Sequence, residues 1–111
     1  MIVITFIPKS HTIKFKGHAG SGDVGKDIVC AAASYGFYNL LAVLREYPEE
    51  AFKSPLKYQE ATGKKKVSYV KAVPTKNYEV GIDHEFYYAM VGFETLANNY
   101  PQYVTLEVAE S

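Results

Sequence analysis

The chain has no tryptophan, a single cysteine and no net charge, its twelve basic side chains being matched by twelve acidic ones over 111 residues. Each scarcity excludes something. One cysteine cannot close an internal disulfide. The opening MIVITFIPKS lacks the basic start, long apolar run and small-residue cleavage site of a secretory signal. Both point to a reducing cytoplasm. A balanced charge gives no long-range field to draw in phosphate backbones or anionic lipid, so neither nucleic acid nor a membrane is an expected partner. No apolar run approaches the roughly 20 residues of a membrane span, because Arg45, Pro48 and the glycines interrupt the longest one. The run Lys64-Lys65-Lys66 after Gly63 reads as a solvated hairpin tip. His11, His18, His84 and Cys30 lack the paired spacings of zinc ligands, so neither metal nor cofactor is expected.

What is present suffices for one core. Nearly half the chain is apolar (48%), with ten tyrosines and six phenylalanines, and residues 1–111 read as a single domain. Ile2 to Ile7 is apolar on both faces and predicts a strand covered on both sides. Thr12 to His18 alternates, with Ile13 and Phe15 on one face and His18 at the strand's end on the polar face. Ala19 to Lys26, with Gly20, Gly22 and Gly25, predicts a mobile loop. Asp27 is placed to cap a helix whose apolar stripe runs through Val29, Ala33, Phe37, Leu41 and Leu44. Gly36 inside it costs about 1 kcal/mol relative to alanine, which implies close approach by another element. A hairpin follows, Leu56 to Ala61 and Val67 to Val73. Asp83 caps a second helix with a stripe through Phe86, Met90, Phe93 and Ala97, ended at Asn98-Asn99-Tyr100-Pro101. Tyr103 to Val108 is a last strand. The order ββαββαβ predicts an α+β domain, two helices packed on a mixed, largely antiparallel sheet.

The chemistry-bearing segment is Gly17 to Ser34, GHAGSGDVGKDIVCAAAS. It places a histidine at a strand end, a glycine-rich loop, and a cysteine in the first turn of a helix. With Asp27 as the cap, Cys30 meets free backbone N–H groups and the positive end of the helix dipole, which favour a thiolate. An imidazole nearby accepts the thiol proton and returns it to a leaving amine, and helix N-terminal amides stabilise an oxyanion. The plain alternative is that Cys30, beside Ile28, Val29 and Ala31, is a small buried hydrophobe and His18 incidental.

The combination Gly17-His18-Ala19, Gly22 with Gly25, Asp27-Ile28-Val29-Cys30-Ala31 and Ser34 resembles the signature of the ribosomal-processing cysteine protease family, Prp. The resemblance implies a cytoplasmic endopeptidase that removes a short N-terminal extension from a large-subunit ribosomal protein and acts as a homodimer. On it, Cys30 is the nucleophile and His18 its base. Asp27 orients His18 or caps the helix, with capping ahead, and Ser34 supports the packing or hydrogen bonding around the site. Val24 stands where family members often have an aromatic residue. A phage or prophage relative cutting a capsid or scaffold protein is the alternative substrate reading.

Two other readings compete. Gly20-Ser21-Gly22-Asp23-Val24-Gly25 formally matches G-x-G-x-x-G, but a dinucleotide site needs a second parallel strand ending in an acidic residue, and Asp23 repels phosphates. The rival from another class is a non-catalytic dimeric binding module, with Cys30 buried and the helix around Phe86, Tyr87 and Tyr88 forming a protein interface.

Overall fold

The computed structural model describes residues 1–17, 24–61 and 66–110, the side chains of 24–27 excepted. Strand β1 (Ile2–Ile7) passes through a short 3-10 turn into β2 (Thr12–Lys16), followed by α1 (Val24–Arg45). Then come β3 (Lys57–Gln59), β4 (Val67–Lys71), α2 (Glu79–Asn99) and β5 (Val104–Val108). The strands form one sheet in the order β3-β4-β2-β1-β5. Three joints are antiparallel and the β1–β5 joint is parallel. The α+β architecture and its element order are therefore those expected from the sequence.

Two crossovers build the layers. The chain leaves β2, runs along α1 and returns as β3, and it leaves β4, runs along α2 and returns as β5. Both helices lie on the same face, which the rings of the core establish directly. Phe15 of β2 meets Phe37 of α1 edge-on at 5.4 Å and Phe93 of α2 at 5.0 Å between centroids. Phe6 of β1 stacks on Phe86 of α2 at 6.0 Å. Ile4, Ile13, Val70 and Val104 supply the sheet side of the core, and Val29, Leu44, Ile82 and Phe86 the helix side. Each such side chain contributes about 1.5–3 kcal/mol through burial, so the aromatic and aliphatic contacts dominate the fold over its few polar ones.

With both helices on one face, the other face of the sheet has no layer above it among the described residues. Val3, Thr5 and Ile7 are only half-buried there, which corrects the expectation of a strand covered on both sides.

Both helices also begin earlier than their expected caps. Helix α1 starts at Val24, so Gly25 belongs to its first turn and not to a loop, and Asp27 is not its N-cap. A single glycine costs about 1 kcal/mol, too little to end a helix anchored by a long buried face. Helix α2 starts at Glu79 because the 3-10 turn Lys76–Tyr78 feeds straight into it, the Glu79 N–H bonding to the Lys76 carbonyl. Asp83 therefore sits inside the helix, and its Oδ1 lies 2.6 Å from His11 Nε2, tying the β1–β2 turn to α2. The segment Ile28–Arg45 is, by length and composition, apolar enough to cross a membrane. Its stripe Val29, Ala33, Phe37, Leu40, Leu41 and Leu44 is buried against the sheet and α2.

Gly36 is the close approach the sequence implied. A Cβ built there lies 2.5 Å from Cε1 of Phe93. Gly36→Ala gains about 1 kcal/mol of helix propensity but must displace a ring locked in the core, at a typical cost of about 1–3 kcal/mol. A lower urea midpoint with an unchanged slope is the expected result.

Candidate active site between β2, α1 and the β3–β4 hairpin

Where β2 ends, Gly17 has φ +92, and a Cβ on it would lie 2.3 Å from the Met1 carbonyl oxygen. Only glycine passes this point without moving β1, so backbone sterics fix the direction in which the chain leaves β2. His18 follows immediately. His18, Gly20 and Gly22 lie outside the described residues.

Across from Gly17, α1 presents Cys30. The free thiol is half-buried, between Val29, which is fully buried, and the exposed Ala31. Because α1 starts at Val24, Cys30 is in the second turn. The unpaired amides of a helix belong to its first turn. The expected contact of Cys30 with free N–H groups is therefore corrected: they lie a turn below it, in the segment that includes Asp27.

Cys30, Ser34 and Gly17 line one cleft of about 240 Å³. Its floor is apolar, formed by Ile2, Phe15, Ala33 and Phe37, and its wall is polar, formed by Tyr38, Glu60, Lys66 and Ser68. Helical periodicity puts Ser34 and Tyr38 above Cys30 on the same side of α1. The hairpin is held by side chains reaching across its arms: Gln59 Nε2 donates to the Val67 carbonyl at 2.7 Å, and the Ala61 N–H to Ser68 Oγ at 2.9 Å. Tyr38 ties α1 to this hairpin. Burial raises its phenol pKa, and the charge of Glu60 and a hydrogen bond to that carboxylate raise it further. The phenol thus stays protonated and donates to Glu60.

The cleft is smaller than the roughly 300–1,000 Å³ of small-molecule sites and opens at the surface, which suits one or two side chains of a peptide beside a nucleophile. Its wall was not legible in the sequence. Tyr38, eight residues after Cys30, carried a helical-spacing signal, whereas Glu60 and Ser68 join the same cleft only through strand pairing. Among the described residues, no group of three or more histidine, cysteine, aspartate or glutamate side chains is arranged to hold a metal ion.

The family model of the cysteine protease Prp matches residues 1–105. The chain belongs to this family, and it is a cysteine protease. Of solved structures, SMU.848 from Streptococcus mutans is 30% identical, with a TM-score of 0.78 over 100% of this chain and 96% of that one. The essential ribosomal processing protease Prp from S. aureus in complex with a substrate peptide is 15% identical, with a TM-score of 0.71 over 97% of each chain. The same S. aureus protease with a covalently linked product peptide is 22% identical, with a TM-score of 0.68 over 97% of each chain. At these identities the two S. aureus structures show the shared Prp fold. No curated protein matches the sequence.

Proposed function

We propose that this Prp-family protease removes an N-terminal extension from a large-subunit ribosomal protein in the cytoplasm, with Cys30 as nucleophile and His18 as general base. The observation that carries the assignment of Cys30 is its position: the only cysteine of the chain lies half-buried in a cleft of peptide side-chain size. Support for His18 is its place directly after Gly17, which lines the same cleft. In this mechanism the thiol proton passes to His18 and Sγ attacks the scissile carbonyl carbon. His18 then protonates the leaving amine, and water hydrolyses the thioester with His18 again taking the proton. Asp27, in the first turn of α1 rather than at its N-cap, in this reading either orients His18 or offsets the positive end of the helix. Ser34, exposed one turn above Cys30, supports the wall of the cleft.

A ribosomal substrate is what the S. aureus relative's name supplies, and a phage capsid or scaffold protein is the alternative. Incubating wild type and Cys30→Ala with the ribosomal protein precursor from the same source, with products read by intact mass, separates them. The expected result is one cut near the N-terminus by the wild type alone, the variant losing at least a thousandfold in rate. An intact precursor in the presence of a thiol that still alkylates readily rejects the ribosomal substrate and keeps the enzyme class.

The reading includes a homodimer. A groove of about 340 Å³ between α1 and α2 is bordered by Tyr35 and Tyr88, which are 72% and 70% exposed. Exposed aromatic side chains on an apolar surface favour association. Sedimentation velocity is expected to show a dimer for the wild type and a monomer for Tyr88→Glu; a monomeric wild type removes the dimer from the account.

A further inference from the structure

The balanced charge of the chain conceals a segregation that only the folded sheet reveals. Strands β1 to β4 contain no acidic residue, whereas α2 alone carries Glu79, Asp83, Glu85 and Glu94 with no lysine or arginine. The strand lysines are sorted by the pleat. Ile13 and Phe15 face the helices, so Lys14 and Lys16 face away from them. Lys14 pairs with Tyr69 and Lys16 with Val67 across the β2–β4 joint. Lys57 pairs with Lys71, and Gln59 with Tyr69, across the β3–β4 joint. Cross-strand partners share a face, so Lys14, Lys16, Lys57 and Lys71 stand together on the uncovered face with Tyr69 among them. Among the described residues none of these lysines has an ion-pair partner. Among the strand residues the one acidic side chain on this face is Glu107, at the far edge on β5, opposite Thr5.

Like charges on neighbouring strands repel, so this arrangement costs stability in the free protein unless something anionic relieves it. We propose that the uncovered face of the sheet binds the phosphate backbone of single-stranded RNA, with Tyr69 as a platform for one base. A concentration of basic residues on one face is the electrostatic footprint of a nucleic-acid surface, and here it is local, since the chain as a whole is neutral. The anchors that other partners need are missing. None of the large, exposed apolar side chains lies on this face of β1 to β4, so it has neither a wedge to insert into lipid nor a hydrophobic hot spot for a protein. What it offers, among the described residues, is lysines, an aromatic ring, the polar side chains of Thr5 and Gln59, and the half-buried Val3, Ile7 and Val67. That combination suits a backbone with unstacked bases better than a duplex. The proposal stands on the charge pattern alone and holds or fails independently of the protease's substrate.

The test is fluorescence anisotropy with a labelled, unstructured uridine oligonucleotide at 50 to 200 mM salt. Four phosphate contacts predict a slope of about −3 in log affinity against log salt, a loss of about 50-fold over that range. The double variant Lys14→Glu/Lys57→Glu, both at exposed positions, is expected to keep its melting curve and bind at least tenfold more weakly with a shallower salt slope. Tyr69→Ala is expected to weaken binding about five- to tenfold while leaving the salt slope unchanged, since stacking is not ionic. Equal binding by the double variant and wild type overturns the proposal. So does competition by polyglutamate as effective as that by RNA, or binding to phosphatidylserine vesicles without binding to RNA.

Discussion

The contact of Phe15 with both Phe37 and Phe93 is the constraint on which the rest depends. It joins the sheet to both helices at one point, and Gly36 lets α2 come close enough for Phe93 to take part. The same side of α1 that carries Phe37 into this cluster carries Ala33 and Cys30 below it, so the packing that seats the helix also sets where the thiol faces. Floor residues of the cleft, Phe15, Ala33 and Phe37, are core residues as well. The site is in this sense an extension of the core to the surface.

One-sided packing shapes both surfaces of the sheet. With both helices on one face, Glu60 and Lys66 of the β3–β4 hairpin border the cleft beside α1. Among the described residues no helix covers the opposite face, and there the strand lysines stand. The strand lysines stand on the uncovered face while α2 carries four acidic residues and no lysine or arginine, so a chain with zero net charge is charged unevenly.

Much of this was legible beforehand because periodicity and burial report the same thing. The stripes through Val29, Ala33, Phe37 and Leu44 and through Phe86 and Phe93 are the buried faces, and the alternation of Thr12 to Lys16 sorts Ile13 and Phe15 inward. Helix starts were misplaced for a common reason. Asp27 and Asp83 are good caps by type, but α1 already runs from Val24 and a 3-10 lead-in carries α2 back to Glu79, so each lies inside its helix. Chain-local reasoning singled out Cys30 and Ser34, which line the cleft. It missed Glu60 and Ser68, whose place in that cleft depends on pairing between strands far apart in sequence. Counting charges along the chain likewise hid the basic face, because the side each lysine takes is fixed only by register.

The central claim is that Cys30 is a nucleophile activated by His18, and the rate of Cys30 alkylation by iodoacetamide as a function of pH tests it most directly. An isolated thiol titrates near 8.5, so its alkylation fades well above pH 6. The account predicts that wild type still alkylates at about pH 6 and that His18→Ala loses this low-pH reactivity while keeping its melting temperature. A wild-type thiol that is inert at pH 6, or one whose rate is the same without the imidazole, contradicts it.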